Sequence, residues 1–406
     1  MKIVYISGDI GVEVGGRKGA STHVRETCRA LERYGHQVLI VTPTPGDLSE
    51  VKLDVISIKA PKAKWIGSDF RYMVLNRRMK GRLEELYRTF RPDAVYERYS
   101  LYQTAGLEFC NRYNLPRILE VNTLLAREQA SRLHFPWFAA LIERSLWRRE
   151  RAIICVSRVL KKIMIEEAGI DESHMVGFKI SPVAVDVDRF LPSTPPSPEV
   201  LELARGRIVA GYVGTLTAWH GVDLFFDVAE ELKKRNVPVL ILTVGGETDR
   251  VERLRARTAE RGLESHLYFY GSISHNLVPA FMAAMQICLI ADTQDWSSPT
   301  KFFEFAAMEK PIIASESPSV HEVFGSDEQS GLFFQRGDAR AMADRIEQLV
   351  ADPEMGVRIA KAARRRVLAS YTWACNVNTI MELYKLQGIT EANFQPNECA
   401  DPNIQS

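Results

Sequence analysis

The sequence predicts an α/β protein made of two tandem, doubly wound parallel-sheet domains, and three observations carry that expectation. Short β-rich runs alternate with helical periodicity along nearly the whole chain. The alternation lapses once, in a proline-rich stretch, and then restarts in the same pattern. The length of 406 residues also exceeds what one ordinary core fills, so two domains are expected.

In the first half the strand candidates are "KIVYIS", "QVLIVT", "AVYERYS", "RILEVN" and "AIICVS". Between them lie amphipathic segments such as "THVRETCRALERYG", which closes on Gly35, a residue suited to end a helix. Over 186–207, "DVDRFLPSTPPSPEVLELARGR" carries four prolines and reads as a linker. Strands "RIVAGYVGTL", "VPVLILTVGG", "HLYFYGS", "QICLIAD", "KPIIAS" and "GLFF" follow. The helices expected among them cover 222–235, 249–262, 275–284, 299–309 and 319–324, with more from 338 onward. The expected layout is a first domain over 1–186, a linker over 187–206 and a second domain over 207–370. A last helix over 371–388 packs back on the first domain, and a polar tail fills 389–406. In such domains ligands bind beyond the carboxyl ends of the strands, so an interdomain cleft suited to two substrates is expected.

Composition narrows the function. Apolar and charged fractions of 46% and 25% are those of a globular protein, and a net charge of +1 selects neither nucleic acid nor an acidic partner. Cys28, Cys110, Cys155, Cys288, Cys375 and Cys399 form no CxxC pair, which argues against a zinc site or disulfide framework and fits a reducing cytosol. No signal-peptide layout opens the chain, and no apolar run reaches the roughly 20 residues of a membrane helix. A cytoplasmic protein is expected.

The sharpest stretch is "SSPTKFFEFAAMEKPIIAS", residues 297–315. Ser298 suits a helix N-cap and Pro299 a first helical position, and the amides near Thr300 would face an anion. Lys301 adds a charge in the first turn, and Glu304 follows on the same face. A phosphate receptor beside a hydroxyl acceptor would look like this, and so would a capped structural helix. "GTLTAWHGVDL" puts Thr215 and His220 on the loop after the first strand of the second half, where His220 could donate to a phosphate. Gly245 and Gly246 end the next strand, as donor contacts or as a turn relieved of side chains.

In the first half, the loop "GDIGVEVGGRKGASTHV" brings Gly15, Gly16 and Arg17 just before a helix, without the GxGxxG of a dinucleotide site. "LEVNTLLAREQ" offers Glu120, Asn122 and Glu128 at a strand exit, and "YERYS" offers Glu97 and Arg98 as an ion pair or a hydroxyl-binding pair. Asp186 and Asp188 make a DxD at the hinge, a weak signal that a hinge turn explains, and no cluster has metal-ligand spacing. No cofactor and no metal are expected. The helix over 136–152, "PWFAALIERSLWRRERA", either lies peripherally on a membrane or packs with a solvated face.

Taken together, the Gly-Gly loop before "RALERYGHQVLIVT", "YERYS", "LEVN", "VDRF", "VGTL..WHGVDL" and "SPTKFFEFAAMEKPIIAS" resemble glycosyltransferase family 4, over about residues 1 to 385. The resemblance implies the GT-B type, with two Rossmann-like domains, and retaining, metal-independent transfer from a UDP-, GDP- or dTDP-linked sugar to a hydroxyl acceptor. It implies catalytic roles for Lys301, His220 and Asn122. Donor contacts would come from Gly16, Thr215, Gly245, Gly246, Ser298, Pro299, Thr300 and Glu304. Acceptor contacts would come from Gly15, Arg17, Glu97, Arg98, Glu120 and Glu128. The family's E-x7-E keeps its second glutamate as Glu304, but Trp296 stands at the first, with Asp292 or Asp295 as substitutes. A nucleotide-sugar 2-epimerase and a non-catalytic nucleotide-sugar-binding protein are the alternative readings.

Overall fold

The computed structural model describes residues 1–16, 18–49, 51–61, 67–298, 300–389 and 399. Its two compact units comprise 1–183 with 373–406, and 184–372.

In the first unit the chain runs β1 (Lys2–Ser7), α1 (Gly19–Arg33), β2 (Gln37–Thr42), β3 (Asp54–Ser57), α2 (Gly67–Thr89), β4 (Ala94–Arg98), α3 (Ala105–Tyr113) and β5 (Arg117–Val121). It continues with α4 (Leu125–Glu128), α5 (Pro136–Arg149), β6 (Ala152–Cys155), α6 (Arg158–Ala168) and β7 (Gly177–Ile180). The seven strands form one parallel sheet in the order β3-β2-β1-β4-β5-β6-β7. Ile3, Val4, Ile6, Val95, Ile118 and Leu119 are fully buried, as strands covered on both faces require. Helix α6 begins where the Ser157 hydroxyl accepts the Leu160 amide at 3.1 Å, and it ends on Gly169 in the left-handed conformation.

The second unit carries α7 (Pro198–Ala204), β8 (Ile208–Val213), α8 (Leu224–Lys234), β9 (Val239–Val244), α9 (Thr248–Glu260), β10 (Leu267–Gly271), α10 (Val278–Ala283) and β11 (Ile287–Ile290). Then come α11 (Thr300–Ala307), β12 (Ile312–Ser315), α12 (Pro318–Phe324), β13 (Leu332–Phe334), α13 (Ala339–Ala351) and α14 (Pro353–Ser370). Its six strands are parallel in the order β10-β9-β8-β11-β12-β13. Both orders reverse at the first strand of the unit, the switch point at which doubly wound sheets bind ligands.

Helix α15 (Trp373–Leu386) belongs to the first unit and packs on α1, β5 and β7. Two expectations are corrected here. The proline-rich stretch is not a slack linker: Val200 of α7 and Phe190 are buried, and the Ser197 amide donates to Ala280 at 2.9 Å, all within the second unit. Prolines fix the backbone without forbidding a short helix that starts on one, as α7 does at Pro198. The cysteines are not all unpaired either, because Cys375 and Cys399 form a disulfide. Among the described residues no helix is long and apolar enough to cross a membrane.

Candidate active site

In the second unit the carboxyl ends of the adjacent strands β9, β8 and β11 put three turns on one edge of the sheet. The turn after β8 runs through Ala218–His220 to Gly221, whose φ of +70° is left-handed. A side chain there would lie 3.0 Å from the Cβ atoms of Ala291 and Asp292, so glycine lets this turn lean on the segment after β11. The ring of His220 meets the Asp292 backbone carbonyl, and the Trp219 ring packs against it, tilted by 32° with ring centres 3.8 Å apart. Burial, then the charge of Lys301, pushes the imidazole down to about 4. His220 is therefore neutral at pH 7, with one nitrogen engaged by Asp292.

Lys301 lies in the first turn of α11 and Glu304 in the second. Glu304 is buried, which raises its carboxyl above the usual range, and the cations of Lys301 and Arg189 only partly oppose that. Neither Lys301 nor Glu304 makes a side-chain hydrogen bond or ion pair among the described residues. The carboxylate oxygens of Glu304 are not among the fully buried atoms left without a partner, so they stay open to a hydrogen-bonding ligand. Thr300 and Ser298 are half-buried at the same helix start, and Pro299 lies outside the described residues.

Gly245 and Gly246 serve shape. A side chain at Gly245, φ +123°, would lie 2.1 Å from the Gly214 carbonyl oxygen. Thr215 is exposed, and its carbonyl accepts the Tyr212 hydroxyl at 3.0 Å.

In the first unit the strand ends are occupied by protein. Glu97 does not pair with Arg98. Fully buried, it accepts from Nε and Nη2 of Arg117 at 3.0 and 2.8 Å, and Arg117 also holds buried Glu150. Alternation of side chains along β4 sends Glu97 beneath the sheet edge, where Gly106 makes room for it. The acceptor-contact expectation for Glu97 is thereby overturned. Glu120 is buried as well and bonds His23 of α1, so it does not face outward as expected. Burial opposes its ionisation, but His23 and then Arg98 outweigh burial and keep its carboxyl below the ordinary range. Asn122 is half-buried just past β5, and Arg98 contributes its charge from the end of β4.

Glu128 is exposed and accepts the Thr123 hydroxyl. The Gly15 amide donates to Pro45 at 2.8 Å, and Arg25 Nη1 donates to the carbonyls of Val14 and Gly16, both at 2.6 Å. The glycine loop is thus tied down from α1. Arg17 lies outside the described residues. His23, Arg25 and Arg189 were not singled out in the sequence, since nothing in its local pattern shows their partners.

Two family descriptions match this chain in tandem, "Glycosyltransferase Family 4" over residues 17–177 and "Glycosyl transferases group 1" over 194–366. The chain belongs to the family 4 type of glycosyltransferase, with the GT-B fold. The alpha-D-kanosaminyltransferase of Streptomyces kanamyceticus is 24% identical over 45% of this chain and 47% of its own. The chain thus spans about half the length of that relative. Sucrose-phosphate synthase of Thermosynechococcus elongatus shares the fold at 19% identity, with a TM-score of 0.75 over 95% of this chain and 98% of its own. HepE of Anabaena, solved with UDP, shares it at 17% identity and 0.75, over 95% and 100%.

Against the family pattern Glu304 is present, and Asp292 and Asp295, the candidates for the missing first glutamate, are both engaged by one arginine. Arg336 binds both, Nε to Asp292 at 2.9 Å and Nη2 to Asp295 at 2.7 Å. Among the described residues no group of three metal-ligating side chains is found.

Proposed function

We propose that this chain is a retaining hexosyltransferase that moves a sugar from a nucleoside diphosphate sugar to an acceptor hydroxyl. The observation that carries the reading is the pair on α11: a lysine beside the helix start and a buried carboxylate without a hydrogen-bond donor of its own. A nucleoside diphosphate sugar would satisfy both, its phosphates taking Lys301 and the first amides of α11, its ribose hydroxyls taking Glu304.

Breaking the bond from sugar to diphosphate gathers negative charge on the leaving phosphate. Lys301 is placed to stabilise that charge, and removing one such donor typically costs about 3 kcal/mol of barrier. The neutral His220 offers the diphosphate a donor only after taking up a proton, so donor binding strengthens as pH falls toward about 4. The acceptor hydroxyl loses its proton to the departing phosphate and attacks from the same face. Arg98 and Asn122 provide polar contacts on the acceptor side. No metal enters this reading. Solved with UDP and with UDP-glucose, HepE supports the donor class.

A peripheral lipid contact through 136–152 is part of the same proposal. Trp137 and Leu141 share one face of α5 and are 69% and 53% exposed, with Arg148 further along that helix. Vesicles with anionic lipid should bind the protein and shift its tryptophan emission. Trp137→Ser should abolish both effects if this face is the contact.

Incubation with a panel of UDP-, GDP- and dTDP-linked sugars tests the main reading. Slow release of nucleoside diphosphate supports transfer, whereas a new sugar isomer, or binding without turnover, contradicts it.

A further inference from the structure

The segment between β11 and α11 carries no glutamate where the family pattern has one, and its two aspartates are both taken by one side chain from elsewhere in the unit. Arg336 follows β13 by two residues. Its guanidinium reaches Asp292 Oδ1 at 2.9 Å, Asp295 Oδ1 at 2.7 Å and the Thr293 carbonyl at 2.8 Å. Three anchors within four residues use the planar fork that only arginine has. The anchored segment has two neighbours that matter. Gly221 rests on Ala291 and Asp292, and the His220 ring meets the Asp292 carbonyl. Six residues beyond Asp295, in the first turn of α11, comes Lys301.

We infer that Arg336 is a positioning residue of the donor site, holding Asp292–Asp295 so that His220 and the start of α11 face one ligand. The inference rests on the donor reading above and adds a residue to it. Trp296, at the position of the first glutamate, directly follows this cross-linked segment. Arg336 is 41% exposed, and an exposed ion pair adds little to stability. Its loss should therefore show in the site rather than in the fold. The contacts Thr293 Oγ1 to Ser297 Oγ at 2.7 Å and Ser319 Oγ to the Gln294 carbonyl at 3.3 Å remain to keep the segment folded.

The test uses the full chain with Arg336→Ala and Arg336→Lys. Thermal midpoints should stay within about 3 °C of wild type. In Arg336→Ala the donor KM and the dissociation constant for the matching nucleoside diphosphate should both rise about tenfold or more, with kcat changing less. Arg336→Lys should recover only part, because an ammonium cannot span both aspartates. NMR titration of the His220 ring supplies a readout that needs no ligand. Lys301 acts on that ring from the start of α11, Tyr212 lies beside it and the Asp292 backbone meets it, so releasing the segment that carries Asp292 should shift its titration. An unchanged His220 titration with unchanged nucleotide affinity overturns the inference. If wild type binds no nucleoside diphosphate while the His220 titration still moves in Arg336→Ala, the donor reading fails and the positioning role stands.

Discussion

The two sheets end differently at their carboxyl edges. In the first unit the acidic side chains at β4 and β5 are spent internally, Glu97 on Arg117 and Glu120 on His23. In the second unit, Lys301 and Glu304 are left without hydrogen-bond or ion-pair partners among the described residues, although Glu304 is buried. A buried charge paired with protein belongs to the fold, whereas a carboxylate with no protein partner, whose oxygens are not fully buried, is open to a ligand. The same residue types at the same kind of position thus serve two ends, and only the partners tell them apart.

That contrast can be broken by mutation. The largest effect is expected at Arg117→Ala, which strands Glu97 and Glu150 in the core. Chemical denaturation should show a loss of about 3–5 kcal/mol. Nucleotide affinity of the surviving folded protein should stay at the wild-type value. Lys301→Ala should do the reverse: kcat/KM should fall about 10²–10³-fold, while the denaturation midpoint stays put. A structural lysine would give the opposite pattern.

Glu143 sharpens the comparison from inside the first unit. Burial raises its carboxyl to about 7 from 4.5, against the Ala126 amide that it accepts at 3.2 Å. A raised carboxyl favours the protonated fold, so the stability it lends is full below pH 4.5 and is lost as pH rises through 7. Glu143→Gln should then gain about 2–3 kcal/mol at pH 8 and nothing at pH 4, read from urea melts at both pH values. The smallest shift is expected at Glu304→Gln. Its carboxyl is also raised by burial, so the substitution should stabilise slightly at pH 8 while weakening nucleotide binding about tenfold. Stability and affinity moving in opposite directions is the signature of a group kept for a ligand.

Much of the architecture was legible because periodicity is local. Each strand quoted from the sequence has a counterpart, and α11 begins at Thr300, one residue inside the expected helix. β3 and β7, the two edge strands of the first sheet, went unread because they mix polar with apolar residues and are only partly buried, unlike the equally short β11 and β12. The misreadings concern long-range partners. Glu97 and Arg98 are neighbours in "YERYS", yet opposite faces of one strand separate them, and the real partner lies 20 positions on. His23 and Glu120 are 97 apart, and Arg336 lies 41 beyond Asp295. No pattern along the chain announces such pairs. The Cys375–Cys399 bridge was missed for a related reason, since composition speaks to frameworks of disulfides and not to one.

Calorimetric titration of the wild-type protein and of Lys301→Ala with UDP, GDP and dTDP tests the central claim most directly. One of the three should bind wild type, and that binding should weaken at least about thirtyfold in Lys301→Ala. A wild type that binds none of them, or a variant that binds as tightly as wild type, would contradict the account.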